Sequence, residues 1–166
     1  MKNYFILAAL LIFMVSFSAY AYEPTGPLKI TGDKKVDGDI ENLGYCVSFD
    51  EAGFIADLSA TYQVPEKEIA ELSKKIYLKN AYVAIVLSRL SGKSLDSIAG
   101  QYKPGEGAGW GQIVRGLGIE PGSRKFQILG KETEVLLKRA ETRKQVAEAG
   151  IEKNLKVLGL DKKIQK

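Results

Sequence analysis

The stretch that most constrains the fold is Gly105 to Gly118, GEGAGWGQIVRGLG, where Gly105, Gly107, Gly109 and Gly111 surround Trp110, the only tryptophan. Trp110, Ile113, Val114 and Leu117 then recur at i, i+3, i+4 and i+7, one apolar face of a short helix. Gly118 stands where a left-handed terminating residue is needed, and Pro121 follows three residues later to prevent continuation. The pattern predicts about two helical turns with the indole in the core. Glycines lack a Cβ, so those around the ring would let the backbone turn sharply and a neighbouring helix come close. Gly109, Trp110, Gly111, Ile113, Leu117 and Gly118 are therefore the candidates for a structural keystone. The rival role, an exposed indole stacking on a sugar or base, fits less well with a Trp lying on the apolar stripe. A glycine-rich loop before a helix can also hold phosphate on its N–H groups. Here no strand precedes it, and neither GxxxxGK[ST] nor GxGxxG is matched.

The N-terminus reads as an export signal. Lys2 precedes an apolar run from Tyr4 to Val15, and Ala19-Tyr20-Ala21 places small residues where a signal peptidase cuts. The run is shorter than the roughly 20 apolar residues of a membrane span. Residues 1–21 are expected to be removed, leaving a soluble chain from Tyr22 that is periplasmic or extracellular. No cysteine lies at the cleavage point, so a lipid anchor is not expected. What remains suffices for one domain with a modest core. Cys46 is the sole cysteine, so packing alone must hold the fold, and beside Tyr45 and Val47 it reads as a small buried hydrophobe.

The chain has no histidine. That removes Ser-His-Asp and Cys-His nucleophile systems and the imidazole sites for zinc, copper and haem. No cofactor or metal site is expected. Catalysis would have to use carboxylates or lysines, and the acids in view are Glu66, Glu68, Glu71, Asp96 and Glu106. All stand in polar contexts, and acids at helix starts commonly answer the helix dipole.

Residues 22–47 carry Pro24, Gly26, Pro27, Gly32, Gly38 and Gly44 and read as an extended lead-in, in which Leu28–Thr31 and Val36–Ile40 either pair as a small hairpin or stay disordered. Helices are expected from Ser48 onward. The first is capped by Ser48 and Glu51 and carries Ile55, Leu58 and Tyr62 on one face. The second begins at Pro65, with Ile69, Leu72 and Ile76 as its stripe. The third is capped by Asn80, runs from Ala81 to Leu90, and is apolar over most of its circumference, which makes it the buried centre. Gly92 closes it, Ser94 caps a fourth with Leu95, Ile98, Ala99 and Tyr102, and the Trp110 helix is the fifth. Ile69, Leu72, Tyr82 and Ile85 set against Leu95, Ile98, Trp110 and Ile113 suggest a weak repeat, two helical hairpins packed face to face.

SGKSLDSI followed by GAGWGQIVRGLGI resembles a pattern in small exported bacterial proteins of unknown function, in which a helix leads into Gly-Trp-Gly-x-Ile and a leucine-glycine stop. The matching positions are Gly109, Trp110, Gly111, Ile113, Leu117 and Gly118. The resemblance implies a secreted helical module and brings no activity; Pro104 and the extra glycines depart from it. The same two helices have helix-turn-helix spacing, but the outer face of the second offers only Gln112 and Arg115 to a nucleic acid.

Charge divides the chain. Residues 123–166 carry a net +6 and residues 22–122 a net −3. Such a basic appendage would dock on the acidic core or on an anionic surface or polymer. Its stripe of Val135, Leu136, Ala140, Val146 and Ala147 is thin, so it reads as a solvated, partly frayed or disordered helix. The sequence thus describes an all-α bundle of about five short helices at 48–122, between an extended lead-in and a basic tail. Its expected role is an exported binding or structural module. The alternatives are a small carboxylate-dependent secreted enzyme and a helix-turn-helix-like nucleic-acid binder.

Overall fold

The computed structural model describes residues 30–103 and 109–157. Residues 1–29, which hold the expected signal segment and the start of the expected Leu28–Thr31 strand, and residues 104–108 and 158–166 lie outside that range. Within it are seven helices and no strand. They are α1 (Lys34–Val47), α2 (Glu51–Tyr62), α3 (Glu66–Ile76), α4 (Leu78–Ser91), α5 (Leu95–Gln101), α6 (Trp110–Gly116) and α7 (Arg124–Val157).

The two helices beyond the expected five come from the ends of the chain. Lys34–Val47 is helical rather than extended or hairpin-like, and the Asp33 carboxylate caps it by accepting from the N–H groups of Lys35 and Val36. Val36, Ile40, Leu43, Cys46 and Val47 form its buried stripe. Gly38 and Gly44 suggested turns because glycine is a poor helix former, at about 1 kcal/mol relative to Ala. Tertiary packing overrides that penalty. At Gly44 the missing side chain matters, since a Cβ would stand 2.6 Å from Cδ of Lys79, whose ammonium reaches Glu41 at 3.1 Å and ties α1 to α4.

The other is α7, 34 residues long, in place of a solvated tail. Leu129, Thr133, Leu136, Leu137 and Ala140 are all buried, so the domain does not end at Gly122. Val36 lies against Gly130 while Lys144 lies 4.9 Å over the Tyr45 ring, so α1 runs parallel to α7. Asp50 meets Arg143 near one end of α2 and Tyr62 meets Glu132 at the other, so α2 returns antiparallel to it. Charge reinforces this packing, because Arg143 bridges Asp50 at 3.3 Å and Asp57 at 2.7 Å. The basic stretch docks on the acidic core, one of the two outcomes its charge permits.

Helix α4 is the buried centre, with every residue from Ala81 to Leu87 buried. Each large aliphatic side chain so buried contributes about 1.5–3 kcal/mol. The helix starts earlier than its Asn80 suggested. Asn80 sits inside the first turn, 1 % exposed, and uses its side-chain oxygen to accept from Trp110 Nε1 at 3.0 Å instead of capping the helix. The break from α3 falls on Tyr77, whose φ of 62° and ψ of 150° belong to backbone that almost only glycine adopts. For α2 the cap is Asp50, which accepts from the Gly53 N–H at 2.9 Å, while Ser48 Oγ donates to the Tyr45 carbonyl. Ser94 caps α5 and Gly92 ends α4 with φ 73°, as the sequence indicated.

Helix α6 ends as expected. Gly118 takes φ 66°, its N–H reaches the Arg115 carbonyl at 2.9 Å, and the Ile119 N–H reaches the Val114 carbonyl at 3.1 Å. This pair of bonds is a Schellman motif, and the buried Ile119 supplies its apolar contact.

Candidate functional site

Trp110 is 1 % exposed, with Ile113 and Val114 buried beside it. Its ring stacks on Tyr102 at 4.4 Å between centroids and 9° between planes. The indole therefore joins α6 to α4 through Asn80 and offers no face to a ligand. Leu117 and Gly111 are half-buried and Gly118 is exposed. A Cβ at Gly109 would meet nothing within 4 Å, and its φ of −68° suits any residue. Close approach to the ring thus does not explain Gly109.

The acids singled out in the sequence do not converge. Glu66, Glu68 and Glu71 are exposed on α3, Asp96 is exposed at the start of α5, and Glu106 lies outside the described residues. The hydrogen bond from Lys74 holds Glu71 below the ordinary carboxylate range, the direction opposite to that of a general acid. Among the described residues no cluster of three or more acids or cysteines could hold a metal ion. Cys46 is buried, and burial pushes its thiol up, away from thiolate reactivity.

The concave surface lies elsewhere, between the end of α2 and the first half of α7. It is a cleft of about 300 Å³, lined by Thr61 and Tyr62 on one side and Ile128, Lys131, Glu132, Val135, Leu136 and Arg139 on the other. That volume stands at the lower end for small-molecule sites, about 300–1,000 Å³. Its α7 wall follows from helical spacing, since Ile128, Lys131, Glu132, Val135 and Arg139 recur at three- and four-residue intervals and so share one face. Val135 is 45 % exposed, an apolar side chain facing the open cleft.

The polar groups of the cleft are ordered. Tyr62 donates its hydroxyl to Glu132 Oε2 at 2.9 Å, and Arg89 approaches the other oxygen at 3.7 Å while lying 5.4 Å over the Tyr62 ring. Burial, more than the neighbouring Tyr82 and Glu132, pushes the Tyr62 phenol far up, so it stays protonated and acts as a donor. Arg139 stands 4.0 Å from Asp57. Behind this wall, Tyr82 is 2.7 Å from the Thr133 hydroxyl, which itself donates to the Leu129 carbonyl, so the proton of the shared bond belongs to Tyr82. The cleft has an apolar floor and an edge that carries the cations Lys131 and Arg139 and the carboxylate of Glu132.

Sequence reasoning missed the cleft because its walls lie some 70 residues apart in the chain. Val135 was seen only as part of a thin tail stripe; the Lys131, Val135, Arg139 spacing was the signal available. No protein-family model, no curated protein and no solved structure matches the chain. No helix among the described residues is long and apolar enough to cross a membrane.

Proposed function

We propose that the protein is an exported helical binding module whose working surface is the cleft between α2 and α7. The observation that carries this reading is an apolar floor, with Val135 left open, beside the exposed Lys131 and Arg139. Export rests on the apolar run and the Ala19-Tyr20-Ala21 site, and the resemblance to small exported bacterial proteins is in keeping with it. The anionic partner expected of the basic C-terminal stretch is, in this reading, received at the cleft through Lys131, since Arg143 and Arg139 are already taken up by the carboxylates of α2. Neither the enzyme nor the nucleic-acid reading gains an observation of its own, because the acids lie apart and α6 turns its Trp inward.

Anilinonaphthalene sulfonate, an apolar dye with one anionic group, tests the cleft. Native protein should bind it at one site with enhanced emission, and Val135→Glu should abolish that signal while far-UV circular dichroism stays unchanged. Equal enhancement in the variant would place the site elsewhere.

A further inference from the structure

Lys131, Val135 and Arg139 follow one another at i, i+4 and i+8, a single file of two turns, about 12 Å, along the α7 wall. The two ends of that file differ electrically. At one end Arg139 already faces Asp57, which Arg143 also holds. At the other end Lys131 is exposed and makes no ion pair among the described residues. Glu132 beside it is answered by the Tyr62 hydroxyl and by Arg89, so it does not neutralise Lys131. Between the ends the floor is apolar.

Resting on the cleft being the binding surface, we infer that its ligand is a single-chain amphiphile with one anionic head, a free long-chain carboxylate. Its head sits on Lys131 and its chain runs over Val135 toward the alkyl stem of Arg139. A carboxylate at Lys131 gains a charge-assisted hydrogen bond that the resting protein lacks. The chain removes Val135 from water. A cationic head would meet like charge at Lys131, the one end of the file that no carboxylate pairs among the described residues. A space of about 300 Å³ suits one chain rather than the paired chains of a bilayer lipid.

Isothermal titration of the purified protein with dodecanoate, dodecyl maltoside and dodecyltrimethylammonium, each below its micelle-forming concentration, tests this, with amide NMR shifts recorded in parallel. Dodecanoate should bind most tightly and the cationic probe least, with shifts at residues 61–62 and 128–139. Lys131→Glu, an exposed substitution checked for fold by circular dichroism, should weaken dodecanoate by about five-fold, the factor of one exposed ion pair, and leave the maltoside unchanged. Equal binding of all three probes at the cleft, or dodecanoate affinity indifferent to Lys131→Glu, would overturn the anionic head while the cleft reading stands. Shifts absent from the cleft with every probe would overturn both. Preference for phosphatidylglycerol vesicles over free dodecanoate would overturn the free-ligand assignment.

Discussion

Removing the acceptor of the Trp110 indole is the sharpest perturbation of the core. In Asn80→Leu the helix keeps a side chain of similar size, while the indole N–H, 3.0 Å from its acceptor and belonging to a residue only 1 % exposed, loses that partner. Leaving a buried donor unmade costs about 1–3 kcal/mol. Trp110→Phe leaves the Asn80 carboxamide oxygen unmatched in turn and adds a void where the larger ring was. The double variant removes both polar atoms together, so its loss should fall short of the sum of the singles by about 1–2 kcal/mol. Against a total stability of about 5–15 kcal/mol each single loss is easily measured. Urea unfolding followed by far-UV circular dichroism serves all four proteins, because the readout does not depend on the Trp. Wild-type fluorescence should be blue-shifted and move red on unfolding. Losses additive within about 0.5 kcal/mol would refute the coupling, and with it the role of Asn80 as the anchor of α6 on α4.

Other perturbations test other joints. Deleting residues 123–166 should unfold the domain rather than release a tail, since Leu129, Leu136, Leu137 and Ala140 leave the core; a cooperative melt of the truncated chain would contradict this. Tyr77→Gly should raise stability by about 1–3 kcal/mol by relieving its left-handed backbone, read as a higher urea midpoint. Arg143→Ala should cost about 1–3 kcal/mol, because two carboxylates lose a shared, partly buried partner, and Asp57→Asn less. Glu134 and Glu152 are held below the usual carboxylate range by hydrogen bonds from Lys138 and Lys156. A depressed folded value contributes stability above the unfolded value of about 4.3 and loses it as pH falls through the folded one. The side-chain carboxyl NMR resonances of Glu134 and Glu152 should therefore titrate at lower pH than the free glutamate value of about 4.3, and midpoints at or above that value would show that the two lysines do not hold them.

Local signals in the sequence located α2 through α6 well. Ser94 and Gly92 act as cap and stop, Gly118 takes its left-handed turn, and the apolar circumference of Ala81–Leu87 marks the buried helix. What stayed hidden depends on partners distant in sequence. Glycines 38 and 44 lower the helix propensity of α1, and packing along α7 and α4 restores it. Conversely, the stripe read from the sequence on α7 includes Val135 and Val146, which are exposed, whereas the buried face is Leu129, Thr133, Leu136, Leu137 and Ala140, with the polar Thr133 satisfied by Tyr82 and its own backbone. The cleft combines both failures, since Tyr62 and Glu132 become neighbours only when α7 lies along α2. Asn80 misled differently, because a side chain suited to capping was taken by an indole 30 residues away.

The central claim, that this module works through the α2–α7 cleft, is tested most directly by amide shift mapping of the purified protein against dodecanoate. The account expects the largest shifts at Tyr62 and across residues 128–139, and their loss in Val135→Glu. Largest shifts at Gln112 and Arg115, or around Tyr45 and Phe49, with the cleft amides unmoved, would contradict it.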